Sequence, residues 1–140
     1  MKALKLDFLE DYKDFGLLVM RLGLGVSFIA HGWPKMVGGP DKWAGLGARL
    51  EAVSGIGFYP EFWGFMAAFA ELGGGVLLIL GLLTRPAALL LVCTMVVAAL
   101  WHYVNGDGFR GYSHAMEAAF TFFGIFFLGA GKYSVDEHLK

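Results

Sequence analysis

The sequence predicts an all-α integral membrane protein, a four-helix bundle with a short interfacial amphipathic helix between spans one and two. Three observations carry this reading. Hydrophobic residues make up 57% of the chain and charged residues 16%, where soluble domains carry roughly 25% charged residues. Mean hydropathy is +0.61, so a water-soluble monomer would lack the polar surface to cover itself. Four stretches, 15–34, 62–84, 86–104 and 112–131, come close to or exceed the ~20 helical residues that cross ~30 Å of hydrocarbon. None alternates with period two, as strands of a membrane barrel do.

Taken in order, residues 15–34 are interrupted by one charge, Arg21. The connection over 35–61 is Gly-rich, and within it Trp43, Leu46, Leu50 and Val53 recur at helical spacing, with Lys42, Arg49 and Glu51 elsewhere on the wheel. That pattern reads as a helix lying in the interface. Residues 62–84 contain a single charge, Glu71. Thr84-Arg85-Pro86 reads as a tight helical hairpin turn, Pro86 being tolerated in a first helical turn, and makes the second and third spans antiparallel neighbours. No Asp, Glu, Lys or Arg occurs from Pro86 to Gly106, and His102 lies near the end of that span. Asn105-Gly106-Asp107-Gly108 is a loop signal, and 112–131 holds His114 and Glu117. The chain is one domain, 1–140, without repeat or linker. Its first 14 residues lack an apolar core and do not read as a cleaved signal peptide.

A net charge of −1 without a basic cluster argues against nucleic acid, whose phosphates need a Lys/Arg footprint. Cys93 is the only cysteine; it excludes an intrachain disulfide, a dithiol relay and a cluster held by four thiolates of one chain. With four spans the termini share a side, together with Lys2, Lys5, Lys13, Arg85, Lys132 and Lys140. The other side holds Lys35, Lys42, Arg49 and Arg110. Positive-inside reasoning therefore places the termini in the cytoplasm. Trp33, Trp43, Trp63 and Trp101 fall on the far side, as an interfacial aromatic belt or as walls around a planar ligand.

Ionisable residues inside spans carry the functional signal, because one at mid-membrane costs at least ~2.5–3.5 kcal/mol on insertion scales. Arg21 shares a helical stripe with Gly25, Phe28, Gly32 and Lys35, and Glu71 shares one with Gly64, Ala67, Gly75 and Leu78. His102 aligns with Ala98 and Met95, and Glu117 with Thr121 and Gly124. Small residues beside polar ones mark close helix approaches, so all four helices are expected to aim a titratable group inward. The plain reading is a buried Arg21–Glu71 pair that fixes register. Glu117 is then surplus, to be neutralised by a proton, an imidazolium, Lys35 or a metal. His31, His102 and Glu117 are one possible metal set, and two histidines one possible haem clamp. Arg and His donors beside a carboxylate suit a quinone headgroup or small oxyanion and its protons, which fits the aromatics and the membrane best.

The chain also resembles the DoxX family of small four-helix bacterial membrane proteins. The resemblance rests on Arg21-Leu22-Gly23, His31-Gly32 with Lys35, and Ala70-Glu71-Leu72-Gly73-Gly74 running into Leu80-Gly81-Leu82-Leu83-Thr84-Arg85. His102, Glu117 and the closing Gly131-Lys132-Tyr133-Ser134-Val135-Asp136 complete it. It implies a quinone-linked redox role, as in the membrane subunit of a thiosulfate:quinone oxidoreductase, with Tyr133 and Asp136 as a structural end motif opposite the polar core.

The reading that results is a multi-pass protein of the bacterial inner membrane, an oxidoreductase component that binds a quinone or small redox substrate. Glu117, His102 and His31 are its catalytic candidates, and Arg21, Glu71, Lys35, Trp33 and Trp101 its substrate-binding ones. The lipid bilayer and a redox partner subunit or second copy are the expected partners. A small proton-coupled transporter is the rival in another class, with Gly73-Gly74-Gly75 as the hint of a discontinuous helix. A non-catalytic assembly subunit is the third.

Overall fold

The computed structural model describes residues 2–140, and side chains from Leu4 onward. Met1 and the side chains of Lys2 and Ala3, where the N-terminal charge count begins, lie outside the described residues. All regular structure among the described residues is helical: α1 (Lys2–Lys5), a 3-10 helix (Asp7–Tyr12), α2 (Lys13–Val37), α3 (Gly39–Ser54), α4 (Pro60–Leu80), α5 (Thr84–Val104), α6 (Gly108–Leu128) and α7 (Val135–His138).

Four long helices form a ring. Neighbours along it are α2 with α4, α4 with α5, and α5 with α6. Phe28 of α2 closes the ring edge-to-face on Phe122 of α6, with centroids 4.7 Å apart. Leu78, Leu91, Met95 and Ile125 fill the centre with them. Where lipid replaces water, backbones approach through small residues. Gly32 lies against the Glu71–Leu72 backbone and Gly25 against Gly75, while Gly64 meets the Trp43 backbone and Gly47 meets Pro60. These pairings descend along α4 as they rise through α2 and α3. The two helices thus run one after the other along α4, antiparallel to it, with a break at Gly38.

The predicted apolar line of α3 is its packing face, since Trp43, Leu46, Leu50 and Val53 are all half-buried. The helix does not lie apart from the bundle; it packs on α4 and reaches α5. The expected hairpin turn is shifted by three residues. The turn is Gly81–Leu83, and Thr84-Arg85-Pro86 opens α5. Gly81 ends α4 in the left-handed region (φ 64°), and a Cβ there would also collide with the Arg21 guanidinium. The α5 N-terminus is capped from a distance: the Asp136 carboxylate accepts from Leu83 N–H at 2.8 Å and Thr84 N–H at 2.9 Å. Through Gly73-Gly74-Gly75 α4 is unbroken, and Gly74 gives room to Leu91.

Among the described residues three segments are long and apolar enough to cross a membrane: Asp7–Val37, Pro60–Leu80 and Thr84–Val104. At 21 residues α6 has the length, but Arg110, His114 and Glu117 lower its hydropathy. The chain is a multi-pass, all-helical membrane protein.

Candidate functional site

Glu71 is buried in α4, and its partner is Lys35 in α2. Lys35 Nζ donates to the two carboxylate oxygens at 2.7 Å and 2.6 Å. The pair forms part of the wall of a cavity of about 270 Å³ between α3, α4 and α5. Leu46 and Leu50 face it from α3, Met66 and Ala67 from α4, Leu90 and Val97 from α5. Four further polar groups line it: Arg49, Trp63, Cys93 and Thr94. Trp63 Nε1 is buried with no hydrogen-bond partner, an unusual state for an indole donor. Trp43 Nε1 donates to the Lys35 carbonyl at 3.0 Å, so α3 also anchors the helix end that carries the lysine. A larger groove of about 500 Å³ between α5 and α6 is lined by apolar side chains with Tyr103 and Tyr112, and by no charged group. Chemistry, not volume, singles out the smaller cavity.

The expected Arg21–Glu71 pair does not form. Arg21 is fully buried at the other end of α2, where its Nη2 donates to the Tyr133 carbonyl. Its guanidinium packs on Gly81 and Ser134. Ten residues of α4 separate Gly81 from Glu71, about 15 Å of helix, and that offset forbids contact. Asp136 completes this end, donating its N–H to the Gly81 carbonyl at 2.8 Å. Burial works to raise the Asp136 pKa, but hydrogen bonds from Thr84 and Leu83, with the Arg21 charge nearby, outweigh it and hold the carboxyl below its ordinary value. Tyr133 and Asp136 thus lie at the end away from Glu71, on the side opposite it that the resemblance implied, and Arg21 is bonded to that segment through the Tyr133 carbonyl.

The remaining candidates are dispersed. Glu117 and His114 are exposed on α6, and His31 and Trp33 are exposed on α2. The His31 and His114 rings stand 5.8 Å apart across the α2–α6 seam. His102 Nδ1 lies 2.6 Å from Asp107 Oδ2, a contact that, with Asn105, draws the Asp107 pKa down. Trp101 sits under Arg49, whose guanidinium carbon is 4.2 Å from the ring centroid. The inward face of α6 is Ala115, Ala118, Ala119, Phe122 and Ile125, which turns Glu117 away from the centre. The expectation that every helix aims a titratable group inward therefore fails at α6. Among the described residues no three His, Cys, Asp or Glu side chains converge as metal ligands; His31, His102 and Glu117 do not meet. The sequence points to Lys35 and Glu71, and to Trp63 only as one of four far-side tryptophans, but not to Arg49 or Cys93. The small residues Ala67, Ala70 and Ala98, which leave the space open, were the available signal.

Fold and site define a small multi-pass membrane protein with a largely apolar cavity walled by one buried ion pair. The DoxX family model matches residues 16–104, and the chain belongs to the DoxX family. It is 31% identical over 137 residues to the inner membrane protein YqjF of Escherichia coli (strain K12), covering 94% of this chain and 98% of that one. The inner membrane protein YphA of the same organism is 32% identical over 109 residues, 69% of this chain and 71% of its own. A Bacillus subtilis (strain 168) protein named "Putative oxidoreductase CatD" is 31% identical over 87 residues, 62% of this chain and 59% of its own. No solved structure matches the chain.

Proposed function

We propose that this protein is a quinone-linked component of an inner-membrane redox system, taking the ring of a quinone into the α3–α4–α5 cavity. The observation that carries the reading is the Lys35–Glu71 pair in the wall of a largely apolar cavity. Trp63 Nε1, which lacks a partner, and the Lys35 ammonium are donors suited to quinone carbonyl oxygens. Glu71 is placed to exchange a proton as the ring gains or loses electrons, which is general acid–base work for a carboxylate held by a cation. Cys93 being the only thiol, the two electrons of quinone reduction would come from a bound cofactor or a redox partner subunit. The oxidoreductase name of the Bacillus subtilis relative agrees with this reading.

The same reading takes α6 as a fourth span. It packs along α5 and exposes Phe120, Phe123, Phe127 and Leu128 to the surroundings. The termini then share the cytoplasmic side, where the larger count of basic residues lies.

Menadione titrated into protein in zwitterionic nanodiscs tests the proposal through tryptophan fluorescence. Saturable quenching is expected, weakened at least about tenfold by Trp63→Phe or Lys35→Met, each the loss of one hydrogen bond to a buried polar group. Ala67→Phe, which fills the cavity, should abolish it, while Glu117→Gln and His102→Ala leave it unchanged. Non-saturable quenching, or a loss confined to Glu117→Gln, would overturn the proposal in favour of the α2–α6 face.

A further inference from the structure

We infer that the cavity selects an anionic ring: a phenolate or carboxylate on a one- or two-ring apolar body, its negative oxygen held at Arg49. The inference rests on the reading of this cavity as the ligand site. Two cations, Lys35 and Arg49, line it against one carboxylate, Glu71. Both Glu71 oxygens are taken up by Lys35, so the uncompensated charge resides at Arg49. Among the described residues Arg49 has no carboxylate partner. Its guanidinium lies over Trp101 at 4.2 Å. Stacking uses the face of the group and leaves its N–H edge free, and that planar edge matches carboxylate geometry. A half-buried guanidinium in a mostly apolar cavity is stabilised by an anion brought to it.

Size restricts the body of the ligand. About 270 Å³ lies just below the ~300–1,000 Å³ of sites for drug-sized ligands. It holds one or two rings but not the paired acyl chains of a phospholipid. The rings would lie between Met66 and Val97, with Trp63 at the wall.

The test uses two naphthoquinones of nearly equal size: lawsone, whose hydroxyl is ionised at neutral pH, and menadione, its neutral methyl counterpart. In phosphatidylcholine nanodiscs lawsone should bind at least about tenfold more tightly, the advantage of a charge-assisted hydrogen bond. Arg49→Gln should erase that difference, and an unchanged unfolding midpoint in detergent reports that the variant is folded. Arg49→Lys, which keeps the charge, should retain most of the preference. Equal affinities in the native protein, or a preference that survives Arg49→Gln, would overturn the anion inference and leave the quinone reading standing. Failure of both compounds to bind would defeat the quinone reading, and this inference with it. Loss of the lawsone preference in phosphatidylglycerol nanodiscs would assign Arg49 to a lipid phosphate and overturn the aromatic ligand.

Discussion

Lys35 Nζ bridges both carboxylate oxygens of Glu71, at 2.7 Å and 2.6 Å, and so ties the C-terminal end of α2 to the middle of α4. Arg21 lies 14 residues earlier on the same helical stripe, about 21 Å away at 1.5 Å per residue. It bonds the Tyr133 carbonyl instead. The polar stripe of α2 is thus used at two separate places, the Arg21–Tyr133 bond at one end and the wall of the cavity at the other.

The first prediction concerns coupling within the cavity wall. Glu71 is 3% and Lys35 27% exposed in their side chains, so the pair is more buried than a surface bridge but not sealed. Lys35→Met alone should destabilise the protein by about 3 kcal/mol, the lower end for breaking a buried pair. Lys35→Met combined with Glu71→Leu should recover part of that loss. Thermal unfolding in detergent measures the cycle; Arg21→Leu with Glu71→Leu should be additive, as for residues without contact.

The second concerns acid. The Asp136 carboxyl is held below its ordinary value, burial opposing and the Thr84 and Leu83 N–H bonds prevailing. A depressed folded-state pKa gives stability that is fully present above the unfolded value, ~3.9, and is lost as pH falls through the folded value. Asp136→Asn should therefore be less stable than the native protein by about 1 kcal/mol at neutral pH, as for a lost helix cap. The gap should stay constant down to about pH 5 and close only below about pH 4, as followed by unfolding midpoints across that range.

The third concerns close packing. A methyl group on Gly32 would fall on the Leu72 backbone nitrogen, and one on Gly64 on the Trp43 carbonyl. Neither neighbour is a flexible side-chain end. Gly32→Ala and Gly64→Ala should each lower stability by about 1–3 kcal/mol, the range for overpacking. Gly23 meets nothing within 4 Å, so Gly23→Ala should stabilise α2 by up to about 1 kcal/mol through helix propensity. Unfolding midpoints of the three variants check this.

Much of the fold was legible because small and polar residues repeat at helical spacing. The stripe Arg21, Gly25, Phe28, Gly32 is buried throughout, as are Gly64, Gly75 and Leu78 beside Glu71. On α6 the same logic was applied to the wrong stripe. The stripe of Glu117 with Thr121 and Gly124 suggests an inward face, but the repeating Ala115, Ala118, Ala119, Phe122 and Ile125 mark the buried one. Periodic small and aromatic residues report packing better than one charge does. The partner of Glu71 was not legible as a pair, because it depends on the axial offset of α2 against α4. Arg49 was hidden for a related reason: it lies off the apolar line of α3, and only the seating of α3 across α5 brings it over Trp101.

The fourth prediction is topological. Ser54 ends α3 and Leu139, exposed, follows α7; the reading with cytoplasmic termini puts them on opposite faces of the membrane. In a Cys93→Ala background, an impermeant thiol reagent outside intact cells should label Ser54→Cys and spare Leu139→Cys. Labelling of Leu139→Cys alone would reverse the orientation, and labelling of both would rule out a shared side for the termini.

The central claim is that the ligand occupies the α3–α4–α5 cavity and not the α2–α6 seam. A photoreactive azidoquinone, activated on the native protein in nanodiscs and located by peptide mass spectrometry, tests it most directly. Adducts are expected on Trp63, Met66, Leu90 or Val97, which line the cavity, and should disappear under excess menadione. Competable adducts on His31, His114 or Glu117 instead would contradict the account.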